Sequence, residues 1–546
     1  MKDVNTLEKL PEDILELQKI ITGLLSEIAD KQNKLKEQHA EIADNQNKLK
    51  EQYAEIEYLR HKLQSQLAAR FASKSEKHQF QADLFDEASP PEQEEINVVE
   101  AADEEITVAA HTRKKTGRKP LPKDLPREQI IHDITDEEKI CSCGCEKHKI
   151  GEDKSEQLEW IPAQVKVIEH VRIKYGCRNC VDGTVTTAPA PKLPISKSIA
   201  TPGLLSEIII SKYADHLPLY RQEQILQRMG IDITRATLST WIIKCSELLY
   251  PLIDLQKQYI ISHKYIQADE TTLQVLNEPG KNNTSKSYMW VFNGGTPEKR
   301  AVVFQYNPTR SGEVATRFLE NYIGALQSDA YSGYMQFKDS LYIQLYLCWA
   351  HARRKFADIV KVNNKKPGKA HMAINFIAKL YAVEKVARTE CYTFSQRQNI
   401  RQEKALPLLN QFKDWLDKSY QTVPPKSPIG EAIAYTLNNW TELIKYINNG
   451  EVEIDNNIVE NLIRPFALGR KNWLFCGSPE GAKAGAAIYS LLQSCKLNSI
   501  EPYAYFKCVL ANIRSYDKNK LSELLPHNIE PGLLIKAYTD SFLRQE

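Results

Sequence analysis

Apolar residues recur at every seventh position along the N-terminal stretch: Leu7, Ile14, Ile21, Ile28, Leu35, Ile42, Leu49, Ile56 and Leu63. An unbroken seven-residue repeat is the seam of a coiled coil. Leu10, Leu17 and Leu24 fill the second seam position early and Leu59 fills it near the end. Between them it holds Lys31, Gln38, Asn45 and Gln52, so the middle of the seam is polar. Pro11 marks the helix start, and a helix from there to residue 70 would span roughly 90 Å at 1.5 Å per residue. Residues 27–40 (EIADKQNKLKEQHA) are repeated at once as 41–54 (EIADNQNKLKEQYA), two heptads that keep the seam in phase. Residues 1–72 are therefore expected to form a dimerisation rod. The competing reading is a single helix lying on its own globular body.

Further along, the period changes several times. Gln164–Tyr175 alternates like a strand. Residues 202–250 return to helical spacing, with Gly230 closing one helix and Thr234 placed to cap the next. That next helix opens on Arg235, a candidate DNA contact, and carries Thr237 and Ser239. A short turn before such a helix fits a helix-turn-helix reader, although many helical pairs look alike. From 259 onward the pattern is of strands: Tyr259–Ile261 and Tyr265–Ala268 run into Asp269, then Tyr288–Phe292 and Ala301–Tyr306 follow. A helix (Gly312–Tyr322), a short strand (Ala325–Gln327) ending at Asp329, and a strand at Leu341–Leu347 come next. Three adjacent strands, a helix and a strand ending in a second Asp is the order of a ribonuclease-H-like sheet. Residues 366–449 are helical by period and far longer than a connection requires, which marks a helical insertion.

With 546 residues, 42% of them apolar, the chain can hold two to four domains and at least one large core. The net charge of +2 conceals a sharp local asymmetry. Residues 83–110 hold ten acidic side chains and no Lys or Arg, and with Pro90 and Pro91 they read as a disordered linker. Arg113, Lys114, Lys115, Arg118 and Lys119 then fall within seven positions. A basic arm of this kind enters a minor groove and neutralises phosphates; the plainer reading is a solvated charge run. The N-terminus lacks a signal-peptide pattern and no apolar run reaches membrane-span length, so the chain is expected to be soluble and cytoplasmic, with no membrane partner.

The eleven cysteines change the picture once more. With no secretion signal they do not suggest a disulfide framework. Cys141, Cys143 and Cys145 precede Cys177-x-x-Cys180, and four thiolates make a closed tetrahedral site for structural Zn²⁺. Cys177 and Cys180 would join Cys141 and either Cys143 or Cys145. Reduced, buried cysteines are the alternative.

The acids at the strand ends suggest a reaction. Moving a phosphodiester needs two divalent cations, one activating the attacking oxygen and one stabilising the leaving oxygen. Hard Mg²⁺ (or Mn²⁺) is held by a few carboxylates with phosphate and water. Asp269 and Asp329 could share such a metal face, and a third carboxylate from a later helix would complete it. Glu460 is the candidate. Asn457-x-x-Glu460 is equally a capping box, and Glu453 and Asp455 are rivals. Arg464, Arg470, Lys471 and Trp473 offer cations and a stacking face beside that acid, or an ordinary surface and a core Trp.

Taken in order, SKYADHLPLYRQEQI, QADET, SDAYSGY, CWAHARRKF, PPKSP, EIDNN, RPFALGRKNWLF and YSLLQSCKLN resemble the insertion-sequence-66 transposase family across about residues 55–527. The resemblance places the acid triad on Asp269, Asp329 and Glu460. It implies a transposase that binds terminal inverted repeats and target DNA, cleaves and transfers strands with Mg²⁺, and works with small accessory proteins of its element. It also implies a nucleoid-associated location in the cytoplasm. Cys348-x-x-His351 matches a signature between the second and third acids of several transposase families, and supports the active site rather than a zinc ligand pair. The first cysteine cluster departs from the family's C-x-x-C.

The expected architecture is a multidomain α+β chain: coiled coil 1–72 forming a homodimer or higher oligomer, acidic linker and basic arm 73–125, and a zinc-binding domain 126–195. A helical DNA-binding domain 196–255 precedes a ribonuclease-H-like core at 256–360 and 451–500, interrupted by the insertion 361–450 and followed by a helical tail 501–546. A nuclease with the same core, or a non-catalytic DNA-binding descendant, are the alternatives.

Overall fold

The computed structural model describes residues 14–71, 165–172, 174–176, 185–187, 192–362 and 368–539. The chain divides into two units, 89–191 and the remainder. In the smaller unit, strands β1 (Lys174–Gly176) and β2 (Val185–Thr187) pair antiparallel, with Tyr175 opposite Thr186. Residues 165–172, expected within a strand, carry no regular structure. Val167 and Val171 are 95% and 78% exposed, so the alternation has no core to face. The five clustered cysteines and the basic residues 113–119 lie outside the described residues.

The larger unit opens with a helix, Ile14–Phe71. Ile21, Ile28, Leu35, Ile42 and Leu49 are each about half exposed along it, so this line of apolar side chains is not laid against the globular body.

Within that body lies a sheet of five strands: β3 (Tyr265–Gln274), β4 (Lys286–Gly295), β5 (Arg300–Asn307), β6 (Gly324–Ser328) and β7 (Ile343–Leu347). Their order is β5-β4-β3-β6-β7. β4 runs antiparallel to both β5 and β3, and β6 and β7 run parallel to β3. Alternation sorts the side chains into two cores. Ile266, Ala268, Trp290, Phe292 and Val303 face helices that include Glu313–Phe318 and Trp349–Val362. Leu273, Met289, Val291, Val302 and Phe304 face Arg235–Ile261, Asn457–Trp473 and Pro479–Leu497.

An exposed edge strand is a template for unwanted pairing, and β5 avoids it through side chains. Ser490 and Ser494 accept hydrogen bonds from the amides of Phe304 (2.8 Å) and Val302 (3.0 Å). Gln256 donates to the Val302 carbonyl at 2.6 Å and Asn498 donates to that of Arg300 at 2.7 Å. Ser490, Ser494 and Asn498 sit four residues apart, one helix face laid along the edge.

Tyr259–Ile261, expected as a strand, instead ends the helix Arg235–Ile261, whose Thr234 cap accepts from the Thr237 amide. A short apolar run fits either period, and here Ile260 is fully buried as a helical residue beneath the sheet. The helix after β5 is shorter than expected, and β7 begins at Ile343 because Leu341 and Tyr342 face solvent. Residues 369–448 form the helical insertion, packed around Trp349, Phe412 and Trp440.

Candidate active site

The parallel pairing of β3 and β6 sets Gln267 opposite Gln327. Two residues on, and so on the same face of each strand, come Asp269 and Asp329. Neighbouring strands lie about 4.8 Å apart, so Asp269 stands beside Asp329, which follows the last residue of β6. β3 does not end at Ala268 as expected but runs on to Gln274, leaving Asp269 midway along it. The amides form a ladder across the sheet. Asn293 donates to Gln267 at 3.2 Å, and Gln267 donates to Gln327 at 2.9 Å. Tyr265 also donates to Gln327, at 2.5 Å. Gln267 and Gln327 then donate to the backbone carbonyls of Asp455 (3.1 Å) and Glu453 (2.8 Å). This ladder docks the chain just before the helix Asn457–Trp473, whose first turn carries Glu460.

The rivals for the third acid have structural partners. Glu453 accepts from Arg397 at 2.9 Å, and Arg388 lies 3.6 Å away. Burial alone would raise its carboxyl, but Arg397, Arg388 and Arg401 hold it below the usual range. Asp455 accepts from Tyr381 (2.7 Å) and from the Asn457 amide (3.2 Å) at the helix start, and burial pushes it to about 6. The capping-box reading of Glu460 is not realised. The cap residue is Asn456, and the Glu460 carboxylate faces Arg354 (3.2 Å) and His351 (3.7 Å).

Asp269 is raised well above the usual carboxylate range, first by burial and then by the charges of Glu270, Asp329 and Glu460. Its one hydrogen bond among the described residues comes from the Glu270 amide at 2.8 Å. Asp329 accepts from the Tyr331 amide at 3.1 Å. No ion pair joins either Asp to a cation among the described residues. Glu270, on the opposite face of β3, is held by Arg310 (2.7 Å) and Tyr334 (2.8 Å), while Arg310 stacks 3.8 Å over the Tyr331 ring. A Cβ on Gly312 would meet the Gly333 carbonyl at 2.8 Å, so small residues let the loops after β5 and β6 touch beside the acids.

The candidate DNA contacts divide. Arg235, Arg464 and Lys471 are exposed. Arg470 is tied to β3 through the Thr272 backbone and the Thr271 and Thr272 hydroxyls, and Trp473 packs edge-on against Phe466, so both are at least partly structural. Gln327 and Arg310 lie outside the motifs that carry the family resemblance, while Gln267 and Glu270 fall within QADET and Arg354 within CWAHARRKF, where the sequence alone assigns them no role.

Four family models match the chain. "Transposase IS66 family" covers residues 197–484 and "IS66 C-terminal element" covers 490–527. "Zinc-finger binding domain of transposase IS66" covers 138–181, which contains all five clustered cysteines, and "Transposase C of IS166 homeodomain" covers 58–130. Two proteins of Sinorhizobium fredii are also similar. Uncharacterized protein y4jD is 36% identical over 75% of this chain and 81% of its own length. Uncharacterized protein y4hP is 32% identical over 80% of this chain and 81% of its own. These matches define the class as a transposase-type protein with a zinc-finger segment. The chain belongs to the IS66 transposase family. No helix among the described residues is long and apolar enough to cross a membrane.

Proposed function

We propose that this protein is the strand-cleaving and strand-joining transposase of a bacterial insertion sequence, with a ribonuclease-H-like core and the acid triad Asp269, Asp329 and Glu460. The observation that carries the reading is the uncompensated charge. Two carboxylates stand on neighbouring strands with no ion-pair partner among the described residues, and burial first, then the charges of Glu270, Asp329 and Glu460, raise Asp269. A buried carboxylate without a cation is costly unless a metal or a proton supplies the charge. Hard oxygen donors of this kind suit Mg²⁺ or Mn²⁺. When bound there, a metal pair would supply Lewis-acid activation of the attacking and leaving oxygens.

The protein's own residues do the positioning. Asp269 and Asp329 provide the shared carboxylate face, and the Gln267–Gln327 ladder fixes the segment that delivers Glu460. Arg354 and His351 hold the Glu460 side chain. Terminal inverted repeats and target DNA are the substrates. Arg113, Lys114, Lys115, Arg118, Lys119, Arg235 and the exposed Arg464 and Lys471 are the phosphate contacts of this reading. Cys177 and Cys180, with two of Cys141, Cys143 and Cys145, would hold structural Zn²⁺. The exposed apolar line of Ile14–Phe71 favours a rod that pairs protomers, and small accessory proteins of the element are further partners.

The test is a strand-transfer assay with end-repeat DNA and Mg²⁺. Wild type should cleave and join, while Asp269→Ala and Glu460→Gln should bind DNA and do neither. Cleavage without joining would make the protein a nuclease, and binding alone a non-catalytic descendant. Full joining by Glu460→Gln would remove that residue from the triad.

A further inference from the structure

Cys348 closes β7 and immediately precedes the helix Trp349–Val362, and His351 lies in that helix's first turn. Their spacing in sequence is not by itself a ligand set. The fold adds Glu460 from a distant helix, and the donor atoms of Cys348, His351 and Glu460 all lie within 4.8 Å of one another. His351 Nδ1 and Glu460 Oε1 are 3.7 Å apart. Two ligands on a tetrahedral zinc ion stand about 3.4 Å apart for bonds of about 2.1 Å. Both atoms are buried, and neither has a hydrogen-bond partner. Buried polar atoms left unpartnered call for a specific explanation.

The sulfur is prepared as a ligand too. Cys348 Sγ accepts a hydrogen bond from the Asn456 amide at 3.3 Å and another from the His351 amide. Burial and the charges of Asp455 and Glu460 outweigh these two amides and hold the thiol well above its ordinary value, so the sulfur gives up its proton only in exchange for a metal.

We propose that Cys348, His351 and Glu460 form an inhibitory site for a borderline-soft divalent cation of the zinc type. The inference rests on the proposed role of Glu460 in the acid triad. On binding, the Cys348 Sγ–H proton leaves to solvent and an Sγ–metal bond forms, with no change of oxidation state. His351 donates a ring-nitrogen lone pair and Glu460 a carboxylate oxygen, leaving the fourth position to water. Thiolate and imidazole select Zn²⁺, Co²⁺ or Cd²⁺ over Mg²⁺ and Ca²⁺. The carboxylate engaged in this way is withdrawn from Asp269 and Asp329, so the same residue serves two competing sites and the soft cation arrests strand cleavage.

The experiment uses the full chain with its zinc-finger segment preloaded with Zn²⁺. Co²⁺ is titrated into wild type, Cys348→Ser and His351→Gln, and the thiolate-to-cobalt absorption is read as a difference between them. Wild type should bind one equivalent more than Cys348→Ser, with its affinity lowered at least about tenfold in His351→Gln. In parallel, Mg²⁺-driven cleavage of end-repeat DNA is measured with added Zn²⁺. In Cys348→Ser the half-inhibiting Zn²⁺ concentration, measured against that variant's own Mg²⁺-only rate, should rise at least about tenfold. Identical Co²⁺ spectra and stoichiometry in all three proteins would overturn the site, as would equal Zn²⁺ inhibition of wild type and Cys348→Ser. If wild type fails to cleave in Mg²⁺ alone, the proposed function fails, and the Co²⁺ difference still decides the metal site. Should Cys348→Ser melt far below wild type, Cys348→Ala carries the Zn²⁺-inhibition readout against its own Mg²⁺-only rate, and His351→Gln carries the Co²⁺ readout alone.

Discussion

Glu384 is a fully buried carboxylate and Asp269 a partly buried one, and the protein treats them in opposite ways. Glu384 is 1% exposed and receives Arg401 through Nε (2.7 Å) and Nη2 (2.9 Å), with Arg397 adding a third bond at 2.9 Å. Arg401 also donates to the carbonyls of Tyr446 and Asn449, so its donors are spent within the insertion. Among the described residues the Asp269 carboxylate has one amide donor, no ion-pair partner and three acidic neighbours. The first cluster is complete and fastens the insertion to the 449–453 segment. Among the described residues the second sets only Arg310 and Arg354, each paired with a glutamate, against Asp269, Glu270, Asp329 and Glu460, where the first has an excess of arginines. Completeness marks a structural cluster, and a deficit of one sign marks a place where a ligand belongs.

The largest break in this comparison should come from the complete cluster. Arg401→Met leaves Glu384 buried with a damaged set of partners, and loss of one member of a buried ion pair costs about 3–5 kcal/mol. Urea unfolding should show that loss at neutral pH, and unchanged stability would mean the cluster contributes nothing. A smaller effect should follow from cutting the ladder that links the two regions. Gln327→Leu leaves the Tyr265 hydroxyl and the Glu453 carbonyl without their partner. Strand cleavage should drop about 10–100-fold, as it does when outer-shell partners of metal ligands are removed. A wild-type rate in that variant would show that Glu460 is positioned without the ladder.

The smallest effect should have the opposite sign. Because Asp269 is raised in the fold, the metal-free native state holds its proton more tightly than the unfolded chain does. Its contribution to stability is present below the ordinary Asp value and is lost as pH rises through the raised value. Asp269→Asn should therefore melt about 2–4 °C higher than wild type in EDTA at pH 7, with little difference at pH 4. Mg²⁺ should stabilise wild type at pH 7 more than the variant. A lower melting temperature for the Asn variant at pH 7 would show that the acid is already paired there.

The strand-borne half of the site was legible in the sequence and the helix-borne half was not. Asp269 and Asp329 follow short strand-like runs, and Asp329 does stand just past β6, whereas β3 continues beyond Asp269 through the polar residues 270–272, which gave no strand signal. Glu460 sits at a spacing shared by a capping box and a ligand. Only the docking of residues 453–456 onto Gln267, Gln327 and Cys348 distinguishes them, and those partners are more than a hundred residues away. Gln267 and Gln327 look like ordinary strand residues until parallel pairing sets them face to face. Tyr259–Ile261 misled because three apolar residues cannot separate a helix end from a strand start. The two tyrosines of SDAYSGY hold Glu270 and Arg310 through their rings and hydroxyls, while the Tyr331 amide also donates to Asp329.

The duplicated heptads give the N-terminal helix a property of a different kind. Fourteen residues add about 21 Å of length and stop about 40° short of four full turns. That shortfall is what left-handed supercoiling absorbs, so a copied pair of heptads lengthens a wound rod without rotating whatever is attached beyond it. A spacer built this way is tunable by recombination. Slippage between near-identical copies can shorten or extend it in register, altering reach while leaving aim intact, and a helix that tolerates such edits is a cheap route by which related elements could come to differ in the span they bridge.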